Sequence, residues 1–424
     1  MLKLTSKILW KGIKNSYYSA TFRPFGAIVF LTYRCTSQCK ACNIWQRPVH
    51  MPDELNWEQW QTIFENMAKN GVKSVELFGG DALLRKDLLC DMIRFCRDHN
   101  MATYFPTDSS SISQELADEL VEAGLENIYF SLDETSAIEG QVRGVKRHES
   151  RVKASIARLK AARGDNKYPR ITCISTISNM NYRYIFQFAS IARDAGADNF
   201  EVRGLTDFRT QSLAESMVNG VPPDPYFTAT NSKQHAFSPS QANELLRMLE
   251  TLWRMRDEYS PLHVQMTNMQ GIEQQNLTEM VYPSHDCHFC TNYVVVSPYG
   301  DVMPCPYFNK YELGNLLQDD LKDVWGNDKH RHFCDKQKKD EIDLCRYCSI
   351  KHYHKGFADS SKEVLWLAGK KVSRAVSTMT STIIDEHPLF IKSVPVKQEG
   401  ISLTPAAKII NVVNLDSART GNLI

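Results

Sequence analysis

The sequence lacks several features that would assign it to a common class directly. It has no charge excess, because 50 Lys and Arg residues stand against 49 Asp and Glu residues. No global field therefore favours nucleic acid or an acidic polymer as a partner. The sequence shows no internal repeat, no apolar run of the ~18–20 residues that a membrane span needs, and no continuous apolar segment typical of a signal peptide. We therefore expect a cytoplasmic globular protein without a nucleic-acid partner.

Cysteine is abundant instead, with 12 residues in a chain of 424. In a long chain that stays in a reducing compartment, clustered cysteines indicate metal or cofactor ligands rather than disulfides. A chain of this length accommodates one large catalytic domain and a smaller module. The positions of the cysteines therefore decide which chemistry to look for.

The first 23 residues carry basic side chains and no acidic one, interleaved with apolar residues at roughly helical spacing. The basic residues are Lys3, Lys7, Lys11, Lys14 and Arg23, and the apolar ones are Leu4, Ile8, Leu9, Trp10 and Ile13. The preferred interpretation is an amphipathic helix that packs on the adjoining domain. The alternative is a weak contact with a membrane surface.

From residue 26 onward, short apolar runs alternate with amphipathic windows, which is typical of repeated βα units. The predicted strands are Ala27–Thr32, Ser74–Phe78, Ala102–Phe105, Asn127–Leu132, Ile171–Ile177 and Asn199–Arg203. The predicted helices lie near residues 57–70, 86–99, 113–123, 148–163 and 183–195. Six parallel strands with crossover helices form an open sheet or a partial barrel. Both architectures place chemistry at the carboxyl ends of the strands.

Cys35, Cys39 and Cys42 follow the first predicted strand with the spacing C-x3-C-x2-C. Three thiolates on one short loop can bind three irons of a [4Fe-4S] cubane and leave the fourth iron open to an external ligand. The alternatives are a zinc site that lacks its fourth ligand, or a loop without metal.

At these residues the sequence resembles the radical S-adenosylmethionine (SAM) superfamily, in which such a loop follows the first strand of a partial barrel. The resemblance implies that the amino and carboxylate groups of SAM chelate the open iron. It also implies reductive cleavage of SAM to methionine and a 5'-deoxyadenosyl radical, which takes a hydrogen atom from the substrate. The protein then supplies orientation and excludes water. An electron donor such as flavodoxin or ferredoxin is implied as a partner.

Further segments are similar to the family in the expected order. Gly79-Gly80-Asp81 occupies the place of the Gly-Gly-Glu segment that holds the SAM ammonium, although the acid here is Asp and the usual following proline is Ala82. Ser131, Asp133 and Arg143 are similar to residues near the SAM ribose and carboxylate. A hydroxyl acceptor and a carboxylate partner are chemically suited to these roles. Ala41 stands where many members have an aromatic residue, so the adenine contact is not assigned.

A second group of thiols comprises Cys287, Cys290, Cys305, Cys345 and Cys348. The two C-x2-C pairs alone suggest a zinc ribbon, but the 54 residues between them exceed the ~15–20 of such sites. Zinc would also leave Cys305 without a role.

The same region resembles the SPASM/Twitch modules of radical SAM enzymes, from Cys287 through the hairpin-like VVVSPYGDVMPC to the last C-x2-C pair. Gly314-Asn315-Leu316 and Asp323-Val324-Trp325 belong to the same resemblance. It implies one auxiliary [4Fe-4S] cluster, because the seven cysteines of the full pattern are incomplete. The implied ligands are Cys287, Cys305, Cys345 and Cys348, and Cys290 can replace Cys287.

The remaining candidates receive simpler interpretations. Cys90, Cys96 and Cys173 fall on a predicted helix and strand, and free cysteine commonly packs in cores. Cys334 is an outside candidate for the second site. His352 and His354, just beyond the last thiol, are expected at the surface or in a turn.

The sequence thus predicts an α/β protein, a partial (β/α)6 TIM-like barrel with a small C-terminal β-hairpin-containing cluster domain. The expected parts are a basic extension 1–25, a barrel 26–215, a linker or lid 216–280 within a loop-rich stretch from 207, a cluster domain 281–357 and a tail 358–424. The predicted activity is that of a radical SAM oxidoreductase or maturase, acting on a peptide or small molecule, with a lipid-linked substrate also open. No further catalytic residue is assigned. The rival is a non-catalytic zinc or iron-sulfur scaffold or redox sensor.

Overall fold

Strands and helices alternate along most of the chain in the structure, which is a computed structural model. It describes residues 2–108, 112–230, 234–266, 268–269, 271–282, 287–365 and 368. Residues 1–364 form one compact unit. The predicted tail 358–424 lies outside the described residues from 369 onward.

The strands of the described chain have the following bounds. They are β1 Gly26–Phe30, β2 Ser74–Phe78, β3 Ala102–Thr107, β4 Asn127–Ser131, β5 Arg170–Ile177, β6 Asn199–Gly204, β7 Phe208–Arg209, β8 Ala229–Thr230, β9 His263–Gln265, β10 Tyr293–Val296, β11 Asp301–Met303 and β12 Gly314–Asn315. The six strands predicted for the barrel are confirmed as β1 to β6.

The α-helices include every predicted crossover helix. They are α1 Leu2–Thr21, α2 Trp57–Lys69, α3 Lys86–Asp98, α4 Gln114–Ala123, α5 His148–Arg163, α6 Ile185–Ala195, α7 Thr210–Ala214, α8 Pro239–Arg254, α9 Gln274–Glu279, α10 Phe289–Asn292, α11 Leu321–Val324 and α12 Asp328–Lys338. None of the helices in the described chain is long and apolar enough to cross a bilayer.

Helix α2 illustrates how the sequence forms these elements. Asn56 and Gln59 make a reciprocal capping box at its start, with both hydrogen bonds 3.0 Å long. The residues that α2 buries recur every three or four positions, which places them on one face. They are Trp60, Ile63, Phe64 and Met67.

The strands form one sheet in the order β12-β11-β10-β1-β2-β3-β4-β5-β6-β9. Strands β1 to β6 are parallel neighbours, and β9 extends them in parallel beyond β6. The α/β class with a mostly parallel central sheet is therefore confirmed. Because the six barrel strands are parallel, their carboxyl ends meet at one edge.

The predicted hairpin of the second cysteine region is formed by β10 and β11, which pair antiparallel. Strand β10 also pairs in parallel with β1, with Val294 opposite Ala27. The hairpin thus continues the barrel sheet rather than standing apart from it. The cluster region consequently packs beside the strand that leads into the first cysteine loop.

Candidate cofactor sites

The first three cysteines lie in the loop that leaves the carboxyl end of β1 and are all partly buried. Burial raises the pKa of Cys35 to about 12 and that of Cys42 to about 11, and it also raises the pKa of Cys39. Buried thiols of this kind become thiolates when a metal cation replaces their protons. The donor set therefore fits iron.

Two other segments hold the cysteine loop by backbone hydrogen bonds. On one side Gln38 and Lys40 donate to the carbonyls of residues 143 and 142, at 3.2 and 3.0 Å. On the other side Asn43 donates to the carbonyl of Tyr226 at 2.8 Å. Tyr226 belongs to the stretch that was predicted as a lid, so this stretch contributes directly to the site.

A third side of the loop is the turn after β2. The Gly80 amide donates to the carbonyl of Thr32 at 3.0 Å. A Cβ atom on Gly80 would lie only 2.0 Å from the carbonyl oxygen of Arg34. Glycine at this position thus lets two backbone segments touch.

A cavity of about 220 Å³ opens among these segments. Eight of the nine residues predicted for the SAM and catalytic cluster site line it, namely Cys35, Cys39, Cys42, Gly79, Gly80, Ser131, Asp133 and Arg143. Asp81, the ninth, is buried and accepts hydrogen bonds from the Leu83 amide and the Thr36 hydroxyl, both at 3.1 Å. Its assignment to the SAM ammonium stays a prediction.

Asp133 and Arg143 form a buried ion pair in this cavity. Nε of Arg143 donates to Oδ2 of Asp133 at 2.6 Å, and its Nη1 lies 3.8 Å from Sγ of Cys39. Burial opposes the charge of Arg143, but Asp133 and Cys39 outweigh it and raise the pKa of the guanidinium. The other oxygen of Asp133 accepts from the amide of Thr176 at 2.6 Å. The pair therefore fixes a positive charge beside the thiols.

Two carboxylates of the site were missed in the sequence. Asp108 follows β3 directly, lines the cavity and accepts hydrogen bonds from the hydroxyls of Thr36 and Ser37. Glu134 is buried and accepts from the amides of residues 140, 142 and 143. The position of Asp108 at a strand's carboxyl end was the available signal. Glu134 offered no such signal, because it acts by shaping the loop that carries Arg143.

One step below the cavity, the inward side chains of the barrel form a polar layer. Glu76 lies two residues before cavity-lining Phe78 on β2 and therefore on the same face of the strand. The rings of Tyr104 and Tyr129 are 5.8 Å apart, and Arg203 lies 5.9 Å from the Tyr129 ring. Burial raises the pKa of Glu76 to about 7, although Arg203 opposes this shift.

Replacement of Glu76 by glutamine is expected to change the pH dependence of stability. Because its pKa is raised in the folded state, the folded protein binds more protons than the unfolded chain between about pH 4.3 and 7, so stability falls as pH rises through that window. Glu76→Gln should be more stable than wild type at about pH 8.5, and its advantage there should exceed its advantage at roughly pH 5 by ~2–3 kcal/mol. Thermal unfolding checks this, with exposed Glu122→Gln as control. A constant difference at both pH values would contradict the assignment.

The second group of cysteines encloses a small apolar cavity. All five thiols line it, namely Cys287, Cys290, Cys305, Cys345 and Cys348. Burial raises the pKa of Cys348 to about 12, and the pKa values of Cys305 and Cys345 rise well above the usual range for the same reason. Among the described residues, no three His, Cys, Asp or Glu side chains converge as ligands of one metal ion. The five thiols of the cavity are sufficient to supply the four thiolates of a [4Fe-4S] cluster.

Lys351 gives independent support for an anionic group in this cavity. It is 4% exposed and lines the cavity together with the thiols. A buried ammonium needs a compensating negative charge. A cluster held by four thiolates would supply that charge.

The Lys351→Met variant is expected to shift the second cluster's reduction potential downward by roughly 50–150 mV, because a nearby positive charge stabilises the reduced form. An EPR-monitored redox titration measures this shift. Lys338→Met, on the exposed side of α12, should leave the potential unchanged. An unchanged potential in Lys351→Met would show that the ammonium does not face the cluster.

The remaining cysteine and histidine candidates lie outside the two groups of thiols that line the cavities. Cys90, Cys96 and Cys173 are buried in the core, as predicted. Cys334 is also fully buried and is not among the described residues that line the second cavity. His354 lies in a turn, as expected, where its amide donates to the carbonyl of Lys351 at 3.2 Å, and its ring packs on the rings of Phe289 and Tyr293. The side chain of His352 lies outside the described residues.

An aromatic contact connects the two cavities. Tyr226 lines the first cavity and Tyr307 the second, and their ring centroids are 5.4 Å apart. Phe227, which also lines the first cavity, lies 5.6 Å from Tyr307. Aromatic rings in mutual contact therefore join the linings of the two cavities.

Comparison with known families agrees with this arrangement. The radical SAM superfamily profile matches residues 29–189, and the SPASM iron-sulfur cluster-binding domain matches residues 287–349. The chain belongs to the radical SAM superfamily. Its family membership implies SAM and a [4Fe-4S] cluster at the first site, and its SPASM domain implies auxiliary iron-sulfur binding at the second.

Relatives and structural neighbours extend this result. The chain is 24% identical to a PqqA peptide cyclase of Streptomyces rochei over 71% of this chain and 75% of the relative. An Fe-coproporphyrin III synthase of Methanosarcina barkeri is 28% identical, but over only 27% of this chain and 29% of the relative. The barrel fold is shared with SAM-bound SuiB of Streptococcus suis, with TM-score 0.52, 17% identity and coverage of 72% of this radical SAM chain and 66% of SuiB. The fold is also shared with SAM-bound anSMEcpe, with TM-score 0.58 and 15% identity. The match covers 84% of this chain and 100% of anSMEcpe.

Proposed function

We propose that this radical SAM protein oxidises a peptide substrate by hydrogen-atom abstraction and passes an electron from the substrate to an auxiliary cluster. The observation that carries the proposal is the contact of Tyr226 with Tyr307 between two thiol-lined cavities. When bound, the catalytic cluster supplies the electron that cleaves SAM and so generates the hydrogen-abstracting 5'-deoxyadenosyl radical.

The residues of the first cavity bind and orient SAM in this proposal. Cys35, Cys39 and Cys42 hold the catalytic cluster, and the Gly79-Gly80-Asp81 turn holds the SAM ammonium. Ser131, Asp133 and Arg143 hold its ribose and carboxylate, since a hydroxyl acceptor and a guanidinium suit those groups. The apolar wall formed by Phe78, Tyr226 and Phe227 excludes water from the reacting atoms.

The second cavity would hold the group that accepts an electron in this proposal. Cys287 or Cys290, together with Cys305, Cys345 and Cys348, holds one auxiliary [4Fe-4S] cluster. An external donor of the flavodoxin or ferredoxin type supplies the electron for SAM cleavage. The rings of Tyr226 and Tyr307, whose centroids are 5.4 Å apart, would lie between the substrate site and a cluster held in the second cavity.

A peptide is the preferred substrate class because relatives that match most of this chain are PqqA peptide cyclases. Structures with the same fold include SuiB bound to the precursor peptide SuiA and anSMEcpe bound to a peptide. A small molecule is the alternative within the same chemistry. A non-catalytic scaffold is the alternative outside it.

The test follows deuterium from candidate substrates into 5'-deoxyadenosine. Reconstituted enzyme, SAM and a reduced flavodoxin are incubated with either the peptide or the small-molecule fraction of cells grown in heavy water. Deuterated 5'-deoxyadenosine from the peptide fraction supports the proposal. Label from the small-molecule fraction alone would overturn the substrate class, and no SAM cleavage by loaded and reduced enzyme would favour the scaffold.

A further inference from the structure

Helix α1 turns three of its large apolar side chains outward. Trp10 is 68% exposed, Tyr17 is 55% exposed and Ile13 is 44% exposed. At about 100° per residue, these three positions fall within about 60° of one another around the helix axis. They therefore form one continuous stripe, which we call the α1 apolar stripe.

The inward face of α1 is small and polar instead. A Cβ atom on Gly12 would lie 2.4 Å from the hydroxyl of Ser360, so the helix packs closely at this point. The side chain of Asn15 is buried and donates to the carbonyl of Lys355 at 2.9 Å. Ser16 and Ser19 also accept hydrogen bonds from this side. A surface helix normally buries its apolar face, but α1 leaves a large part of its apolar surface exposed.

Helix α1 packs on the adjoining domain, as the preferred sequence interpretation expected, but it does so largely through small and polar side chains. Ile8, Leu9 and Tyr18 are partly buried, whereas Trp10, Ile13 and Tyr17 remain exposed. Three of the eight large hydrophobic residues that are exposed in the described chain lie on this one stripe. Such clustering marks a contact surface rather than scattered exposure.

The charges beside the stripe indicate the chemistry of the partner. Lys7 is exposed, and Lys14 lies partly exposed over the Phe25 ring, 3.0 Å from its centroid. Lys7 precedes Trp10 by about one helical turn, and Lys14 follows it by about one turn. Both lysines therefore lie along one border of the stripe. The first 23 residues contain no acidic side chain, although the whole chain is nearly neutral. A local basic border around Trp and Tyr side chains matches an anionic lipid interface.

We propose that the α1 apolar stripe docks on the surface of an anionic lipid bilayer. Trp10, Ile13 and Tyr17 enter the headgroup region, and the neighbouring lysines contact the lipid charges. The helix lies in the plane of the interface, and hydrogen bonds of Asn15 with Asn292 and Lys355 keep its small polar face attached to the region around the second cysteine group. This inference is independent of the proposed substrate, because it rests on the surface of α1 alone.

Vesicle flotation of the reconstituted full-length chain tests the inference. The vesicles contain phosphatidylcholine, with or without roughly 30% phosphatidylglycerol. Wild type is expected to float with the anionic vesicles only and to be released by salt. The triple variant Trp10→Ser, Ile13→Ser and Tyr17→Ser should bind at least tenfold more weakly.

The matched control places serine at three exposed apolar positions elsewhere, namely Met51, Tyr168 and Met217. It should float like wild type, and both variants should cleave SAM without vesicles as wild type does. Failure of wild type to float would overturn the inference, as would equal loss in the control. If the stripe instead covers another copy of the chain, wild type would be an oligomer that the stripe variant dissociates, with no vesicle binding by either.

Discussion

A Gly80→Ala variant is expected to lose the iron of the catalytic site and all SAM cleavage. The added Cβ would lie 2.0 and 2.5 Å from the carbonyl oxygen and carbon of Arg34, and 2.8 Å from the carbonyl oxygen of Tyr33. These are backbone atoms of the loop that begins the cysteine motif, so no side chain can rotate away. The loop must move instead, and its thiols leave their positions. We expect iron to fall by about four per chain.

Gly71→Ala is the control for this variant. Gly71 has a φ of +88°, and nothing lies within 4 Å of the added Cβ. Alanine there costs only the strain of a left-handed conformation, about 1–2 kcal/mol. The control should therefore retain full iron and activity. Full iron and activity in Gly80→Ala would show that contact between the two turns does not position the thiols.

The Arg143→Met variant is expected to lower the stability of the protein by about 3–5 kcal/mol, as removal of one partner from a buried ion pair does. Asp133 is only 2% exposed and would keep an uncompensated charge. The same substitution removes the positive group beside Cys39 and should weaken SAM binding. Thermal unfolding and SAM binding to the reconstituted protein measure the two effects.

Two further variants separate charge from packing at this position. Arg94→Met breaks an ion pair with Asp91 whose side chains are 39% and 49% exposed, so it should cost less than about 1 kcal/mol. Addition of Asp133→Asn to Arg143→Met removes the stranded charge and should restore much of the stability, without restoring SAM binding. No recovery in the double variant would show that Arg143 acts through packing.

Much of the barrel could be predicted because its signals are local. The bounds of strand β2 and helix α5 were predicted correctly, at Ser74–Phe78 and His148–Arg163. The spacing of Cys35, Cys39 and Cys42 on one loop is also local, since a short loop brings its thiols together in any fold. The cavity at the carboxyl ends of the strands then follows from their parallel arrangement.

The missed features depend on contacts between distant parts of the chain. Lys351 is buried beside thiols that come from segments far apart in the sequence, so no short pattern indicated its role. The pairing of β10 with β1 joins residues about 270 positions apart, and the hairpin alone does not specify its neighbour. Helix α1 was predicted, but its period could not show which face is inward, because Gly12 and Asn15 gain partners only from the folded domain.

The most direct test of the account measures iron, EPR spectra and SAM cleavage for wild type and for a variant with Cys35, Cys39 and Cys42 replaced by alanine. Both proteins are reconstituted anaerobically with iron and sulfide. We predict about eight irons per chain in wild type and about four in the variant, which keeps the auxiliary cluster alone. Only wild type should form 5'-deoxyadenosine. Zinc at the second site, or no SAM cleavage by loaded and reduced wild type, would contradict the account of a two-cluster radical enzyme.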